Sequence, residues 1–262
     1  MKNAQRLFWV LLAAGFCSAL AGPAAAEPLL QLYVEGATYD HDTESWVISP
    51  VGSSGGAPFR LWAIGNVSGG GGKGTIFDVK LAAVYSVDAG DLSISLTPST
   101  TGGYGDFFDT TTPGAPVHLQ TVDDGSTPLL GDGSSLPNHG EYGEGVVWQE
   151  FALGDFSLSD SPIADFIGSF PDAPTVAGGQ INVYEISVTG SLIHPTRVHF
   201  DLYNHVISRN KARYVFSPFS HDGDATVNVV PEPGTLTLAG CALFWGTGAA
   251  LRKRRRRKHE TV

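Results

Sequence analysis

The sequence predicts an all-β protein, a two-layer antiparallel β-sandwich of jelly-roll-like connectivity. Apolar residues alternate with polar ones along much of the chain, as in residues 30–35 and 197–203, and this period of two indicates half-buried strands. Clusters of Gly, Pro, Asp and Ser separate these stretches, as turns require. About eleven such stretches follow one another without intervening long helices, which favours two packed sheets.

The predicted strands follow in order along residues 27–228, which we treat as one domain. One short helix is predicted at 163–170, between Pro162 and Pro171. No tandem repeat of roughly 20 to 50 residues is present, so neither a solenoid nor a propeller is expected. The predicted strands are 30–35, 37–48, 59–65, 75–87, 91–97, 116–122, 145–152, 181–188, 197–203, 213–219 and 225–230.

Charge and cysteine content narrow the classes of function. The chain of 262 residues has a net charge of −10, but residues 27–230 hold seven of the 16 cations and 24 of the 26 acids, for a net charge of −17. Such an acidic body disfavours nucleic acid, whose phosphates require a basic surface. The two cysteines, Cys17 and Cys241, lie outside it, which excludes disulfides and thiolate chemistry within the body.

Residues 1–26 read as a secretory signal peptide. Two cations precede an apolar stretch at 7–20, and Ala24 and Ala26 are the small residues that signal peptidase accepts. We therefore expect the mature chain to begin at Glu27. The alternative is an uncleaved membrane anchor.

The C-terminal segment, residues 229–262, predicts a transmembrane helix held by positive charge. Residues 235–251 carry no charge and have the minimum length for a membrane span, and the seven cations that follow are expected to stay on the cytoplasmic side. The body would then lie outside the inner membrane. The alternative is a permanent single-span anchor.

Pro231, Glu232 and Pro233 stand directly before this span. A Pro-Glu-Pro motif, a short apolar helix and an Arg cluster at the C-terminus resemble the PEP-CTERM sorting signal of exosortase-processed surface proteins of Gram-negative bacteria. The resemblance implies that an exosortase recognises the three residues, removes the tail and passes the body to the cell surface or extracellular matrix. The inner membrane would then be only a transient location.

The body is similar to the choice-of-anchor N family of bacterial surface proteins. The likeness rests on the opening LQLYVEGATYDHDTESWVI and on YVFSPFSHDGDA near the end of the body. It implies surface placement and no particular activity. Together with the sorting signal, it leads us to expect a non-enzymatic protein associated with exopolysaccharide or a biofilm matrix.

Calcium is the cofactor that the acidic turns favour, because it needs only clustered oxygen ligands. The candidate ligands that we prefer are Asp222 and Asp224, although none of the acidic turns has the spacing of an EF-hand. His199 and Asp201 lie on one face of a predicted strand and permit a His-carboxylate metal site, but we expect them to face solvent. The other acidic candidates are Asp40, Asp42, Asp123, Asp124 and Asp132.

Two carbohydrate-related functions stay open as alternatives. A secreted glycoside-active enzyme would need paired carboxylates, and a carbohydrate-binding module would need exposed, coplanar aromatic rings. The carboxylate candidates are Glu141, Glu144 and Glu150, and the aromatic candidates are Trp46, Trp62 and Trp148.

The last candidate site is a basic hairpin in an otherwise acidic body. Strand 197–203 and the strand from Arg213 are predicted to meet at a turn over residues 208–211, close to Arg209 and Lys211. Arginine binds carboxylates through two hydrogen bonds, so the hairpin could contact an acidic exopolysaccharide or a neighbouring copy. The alternative is a sheet edge that its cations protect from pairing.

Overall fold

Thirteen β-strands and one short α-helix make up the described part of the chain, and they confirm the all-β prediction. The computed structural model describes residues 28–51, 58–68, 74–99, 113–169, 177–190 and 195–227. The strands are β1 (Leu30–Val34), β2 (Thr38–Asp40), β3 (Ser45–Val51), β4 (Phe59–Gly65), β5 (Ile76–Ser86), β6 (Leu92–Pro98), β7 (Val117–Val122), β8 (Val146–Phe156), β9 (Ser161–Pro162), β10 (Ala177–Gly190), β11 (Thr196–Ser208), β12 (Lys211–Phe216) and β13 (Asp222–Val227). The helix is α1 (Phe166–Ser169), and 3-10 turns lie at Val87–Ala89 and Phe219–His221.

The strands form two sheets. The five-stranded sheet has the order β1-β4-β10-β6, with β9 also paired to β10. The eight-stranded sheet has the order β2-β3-β13-β11-β5-β8-β7. Strand β5 pairs with one edge of β11, and the other edge pairs with β13 along its first half and with β12 along its second half. The pairing of β3 with β13 is parallel, so the antiparallel prediction was wrong at this pair. These two strands are far apart in the sequence, and local alternation carries no information about their relative direction.

The main core lies between the two sheets, where the inner face of one sheet packs against the inner face of the other. Burying one such apolar side chain fully contributes about 1.5 to 3 kcal/mol. Representative core residues are Leu32, Leu61 and Ile186 from the five-stranded sheet and Leu81, Phe151 and Phe200 from the eight-stranded sheet.

The outer face of the five-stranded sheet is also covered. The stretch 163–169 packs on it, and Gln31 both donates to Ala164 O (2.6 Å) and accepts from Phe166 N (3.1 Å). Strand β1 is therefore buried on both faces, which makes the prediction of a half-buried strand wrong there. The predicted helix exists as the single turn α1, where Asp165 accepts from Ile167 N in the manner of an N-cap.

A long irregular segment, residues 123–145, covers the outer face of the eight-stranded sheet. Its Leu130, Leu136 and Tyr142 pack against Trp148 and Tyr203 of the sheet. The segment is therefore part of the packed structure. It also brings polar side chains onto a sheet face that would otherwise meet water.

The predicted sorting elements fall outside the described residues. These are the signal peptide with Ala24 and Ala26, the Pro231, Glu232 and Pro233 motif, and the span at 235–251. Among the described residues no helix is both long and apolar enough to cross a membrane.

The inter-sheet core predicts a large cost for truncating Phe200. Its side chain is fully buried, so Phe200→Ala should lower the free energy of unfolding by about 3 to 5 kcal/mol. Val117 on β7 is 59% exposed, and Val117→Ala should change it by less than about 0.5 kcal/mol. Urea unfolding of the purified protein followed by circular dichroism measures both, and equal effects would contradict the described core.

Candidate metal centre

Strands β11 and β13 present four buried polar side chains on one face of the eight-stranded sheet: His199, Asp201, Asp222 and Asp224. They pair antiparallel, with His199 opposite Asp224 and Phe200 opposite Gly223. Phe200 lies in the inter-sheet core, so the alternating residues on either side of it point to the opposite, outer face. A Cβ on Gly223 would lie 3.0 Å from Val34, so glycine allows β13 to pack closely against the five-stranded sheet.

The 123–145 segment adds His139 to this face. Asn138 shapes the turn, because its side chain accepts from Gly140 N (2.8 Å) and donates to Tyr142 O (2.9 Å). Gly140 has a φ of 105°, which favours glycine at this position. The His139 ring stacks on Phe219 with centroids 4.4 Å apart, so its Nε2 is directed towards the sheet.

Four side chains converge and form what we term the four-ligand cluster: His139, His199, Asp201 and Asp222. Asp201 Oδ1 lies 3.1 Å from His139 Nε2 and 3.5 Å from His199 Nε2. Asp222 Oδ2 lies 3.9 Å from each of the same two nitrogens. All four ligand atoms lie within 4.8 Å of one another, close enough for small side-chain adjustments to bring them onto one ion.

Two of these atoms are buried without a hydrogen bond. Neither His199 Nε2 nor Asp222 Oδ2 has a hydrogen-bond partner among the described residues, although the residues are only 2% and 0% exposed. Leaving a buried polar atom unsatisfied costs about 1 to 3 kcal/mol, and such atoms in native proteins call for a ligand, ion or water. Both atoms face the centre of the cluster, so one cation would satisfy them together.

The outward-facing atoms of the cluster are held by a surrounding layer of hydrogen bonds. His199 Nδ1 lies 2.9 Å from Asp224 Oδ1, Tyr142 donates to Asp201 Oδ2 at 2.5 Å, and Ser217 donates to Asp222 Oδ1 at 2.6 Å. Metal-binding histidines and carboxylates are oriented in this way by their second partners. The layer thus directs one atom of each of these three ligands inward: His199 Nε2 and Asp222 Oδ2 have no hydrogen bond among the described residues, and Asp201 Oδ1 contacts His139 Nε2.

The protonation equilibria of the cluster reflect its burial. Burial raises the pKa of Asp222 well above its ordinary value, and repulsion from Asp201 adds to the rise. Burial also acts to raise the pKa of Asp201, but contacts with His139 and His199 outweigh it and lower that pKa. Burial acts to lower the pKa of His199, yet contacts with Asp201 and Asp224 outweigh it and raise that pKa well above its usual value. Both rises favour the protonated forms of Asp222 and His199, which reduces the negative charge buried in the cluster.

Arg197 extends this layer to the protein surface. It donates to Asp224 at 2.9 Å and to both oxygens of Glu141, at 2.7 and 3.0 Å. These contacts hold the pKa of Arg197 above its ordinary value despite the opposing effect of burial. The bidentate pair with Glu141 ties the 123–145 segment to β11 a second time.

The donor set fits a tetrahedral transition-metal ion better than calcium. In a tetrahedral Zn²⁺ site with bonds of about 2.0 to 2.1 Å, neighbouring ligand atoms lie about 3.3 to 3.4 Å apart. The contacts of 3.1 to 3.9 Å in the cluster surround this value. Calcium takes six to eight oxygen ligands at about 2.3 to 2.6 Å, whereas this cluster offers two nitrogens and two oxygens.

The structure divides the residues predicted as calcium ligands. Asp222 belongs to the four-ligand cluster, whereas Asp224 orients His199 from outside it. Asp40 ends β2, and the other acidic candidates lie in loops. Asp40, Asp124 and Asp132 each accept a hydrogen bond from the backbone N–H two residues later.

The expectation that His199 and Asp201 face solvent was wrong, because the residues are only 2% and 4% exposed. The alternation that placed the two side chains on one face was visible in the sequence. The cover over that face was not. His139 was not among the predicted ligands, and its only sequence signal is a histidine within a loop rich in Gly and Asp.

The residues named for carbohydrate functions have other partners. Glu150 is buried and accepts from Lys80 (3.1 Å), Tyr203 (2.5 Å) and Gln120 (2.9 Å), while Glu141 binds Arg197. The three tryptophans belong to packed clusters and are at most 5% exposed: Trp46, Trp62 and Trp148. They therefore do not form an exposed stacking platform.

The predicted basic hairpin is present. Arg209 and Asn210 have φ values of 51° and 61°, which form a tight two-residue turn between β11 and β12. Arg209, Lys211 and Arg213 are exposed, and none makes an ion pair within the described ranges. Arg197, near the start of β11, belongs instead to the layer around the candidate metal centre.

Comparison with known proteins adds no relative. No protein-family model matches the chain, and no curated protein is similar to it. What the chain does must therefore be inferred from its own residues.

Proposed function

We propose that this chain is an exported surface protein whose β-sandwich binds one divalent transition-metal ion in the four-ligand cluster, with Zn²⁺ as the best fit. The observation that carries the proposal is the pair of buried atoms, His199 Nε2 and Asp222 Oδ2, that face the cluster centre without a hydrogen bond. Asp201 and His139 complete a set of two imidazoles and two carboxylates. This set supports zinc in place of the calcium that the acidic turns suggested.

The number of protein ligands supports a structural role for the ion. Structural zinc sites have four protein ligands, whereas catalytic ones keep a position open for water or substrate. Three of the four ligands are almost completely buried, and the side chain of His139 is only 12% exposed. A closed site of this kind agrees with a non-enzymatic protein, which is the function that we propose.

The metal proposal predicts one tightly bound ion per chain. After chelator treatment of the full chain, isothermal titration with Zn²⁺ should give a stoichiometry of one, and excess Ca²⁺ should not compete. Co²⁺ should give the intense visible absorption of a tetrahedral site. Both His199→Ala and Asp222→Asn should weaken Zn²⁺ binding at least about 100-fold, because the first removes a nitrogen ligand and the second replaces an anionic carboxylate with a neutral amide.

Asp132→Asn is the matched control for this titration. Asp132 is an exposed acid in the same 123–145 segment, and among the described residues its side chain accepts hydrogen bonds only from the N–H and hydroxyl of Ser134. Its replacement should leave the affinity unchanged. Absence of stoichiometric Zn²⁺, Co²⁺ or Cu²⁺ binding by the natural sequence would overturn the proposal.

We also propose that the protein is exported and sorted. The signal-like residues 1–26, with Ala24 and Ala26 at the cleavage site, support processing by signal peptidase. The motif Pro231, Glu232 and Pro233, followed by an apolar stretch and cations, supports recognition by an exosortase in the inner membrane. The body would then be released to the cell surface or extracellular matrix.

Sorting predicts opposite results for two changes in the tail. A chain ending at Val230 should be exported and released in soluble form, because it lacks the span and the cations that hold it. Replacing Pro231, Glu232 and Pro233 with alanine should instead leave the body at the inner membrane, because the span stays uncut. Fractionation and immunoblotting measure both, and retention of the shortened chain at the membrane would contradict the anchor.

We also propose that the sandwich has jelly-roll-like connectivity. The support is that successive strands cross repeatedly between the sheets, with β1, β4, β6, β9 and β10 in one sheet and the others in the second. Such crossing is typical of double-sheet Greek-key folds.

The proposed partner of the exported body is an acidic exopolysaccharide of a biofilm matrix. The support is the basic hairpin, whose Arg209, Lys211 and Arg213 are exposed and make no ion pair in the described ranges. Free guanidinium groups are suited to bidentate contact with sugar carboxylates. The competing explanation is an edge that its charges protect from pairing.

Retention on the native matrix tests the hairpin. Replacing Arg209, Lys211 and Arg213 with serine should abolish the part of the retention that high salt also removes, because screening weakens exposed charge contacts. Arg60→Ser is the control, since Arg60 lies on β4 and is paired with Glu35 at 2.9 Å. Unchanged retention of the triple variant at low salt would leave only the protected edge.

A further inference from the structure

Residues 138–142 place three side chains on the metal centre within one short turn, and we term this stretch the clasp. His139 supplies a ligand atom, and Glu141 makes a bidentate pair with Arg197 at 2.7 and 3.0 Å. Tyr142 donates to Asp201 at 2.5 Å. The clasp thus contacts the cluster and its surrounding layer through one ligand atom, one ion pair and one hydrogen bond.

His139 differs from the other three ligands in its origin. His199, Asp201 and Asp222 lie on β11 and β13, which are paired neighbours in one sheet. An ion bound only by these three would add little to a connection that the backbone already makes. An ion bound by His139 as well joins the sheet to the 123–145 segment through a metal–ligand bond.

The segment that the ion would hold covers an apolar face. Leu130, Leu136 and Tyr142 lie on Trp148 and Tyr203, together with small side chains of β5. The backbone O of Ser126 also accepts from Trp148 Nε1 at 2.8 Å. Opening of the segment would expose this surface to water, so its closure depends on the strength of its attachments.

We propose that the bound metal fastens the 123–145 segment to the eight-stranded sheet, so that metal occupancy controls how often this segment opens and exposes the face around Trp148. The inference rests on the proposed metal site and extends it to a regulatory role. A ligand shifts the equilibrium between open and closed forms by at most the ratio of its affinities for them. The open form keeps three of the four ligands, so saturating metal should make opening rarer by the affinity that His139 adds, about 100-fold.

Hydrogen exchange of the protein, in the form isolated from cells that express the full chain, measures the opening directly. The probes are two N–H groups whose hydrogen bonds join the sheet to the segment and break when it opens: the indole N–H of Trp148, which donates to Ser126 O, and the backbone N–H of Val87, which donates to Gly145 O. Saturating Zn²⁺ should slow their exchange about 100-fold relative to the chelator-treated protein. Strand β10 in the other sheet serves as the internal reference, and its exchange should change much less.

Two variants separate the metal bond from the other attachments. In His139→Ala the protein should keep its fold, because this residue lies in the irregular segment, but Zn²⁺ should no longer slow exchange in the segment selectively. In Glu141→Gln the segment should open more often with and without metal, because the pair with Arg197 is weakened. The factor by which Zn²⁺ slows exchange should stay the same in this variant. If Zn²⁺ no longer slowed exchange in Glu141→Gln, the closure would depend on the ion pair and the proposal would be overturned.

The outcomes distinguish this inference from the metal site itself. If Zn²⁺ binds with a stoichiometry of one but leaves exchange in the segment unchanged, the fastening is wrong and the site stands. If Zn²⁺ slows exchange equally in the segment and in β10, the ion stabilises the whole fold and the selective fastening is wrong. If no transition metal binds, both proposals fall.

Discussion

The antiparallel pairing of β11 with β13 is the constraint on which the rest of this structure depends. Strand β11 is central in the eight-stranded sheet, and its register with β13 sets Phe200 opposite Gly223. That register sends an aromatic ring into the core and leaves the neighbouring histidine and carboxylates on the outer face. A slip by one residue would exchange the two faces and would bury charge between the sheets.

Polar groups on a covered face require partners, and the surrounding elements supply them. The 123–145 segment and the turn before β13 bring Tyr142 and Ser217 to the carboxylates, and Asp224 holds His199. What they leave unsatisfied is one inward atom on His199 and one on Asp222. A metal ion at that point would also give a body without cysteines a cross-link between an irregular segment and the sheet.

The described cations of the acidic body have two distinct placements. Arg60, Lys80 and Arg197 each pair with a carboxylate, and the Lys80 and Arg197 pairs involve nearly buried acids, Glu150 and Asp224. The cations of the β11–β12 hairpin make no ion pair in the part of the chain that the structure describes. Structural pairing and contact with an anionic partner can therefore be tested separately on this protein.

The sequence by itself determined where most strands lie, because period-two alternation is a local property: the strand predicted at 91–97 and the turn at 208–211 occur within one residue of their predicted places. The single strand predicted at 37–48 is instead two strands, β2 and β3, that pair with each other. It also placed His199 and Asp201 on one face. Only the tertiary structure decided that this face is covered and that β13 lies parallel to β3. The structure alone brought His139 to Asp201, 62 residues away, because a metal centre depends on contacts between distant segments that alternation does not encode.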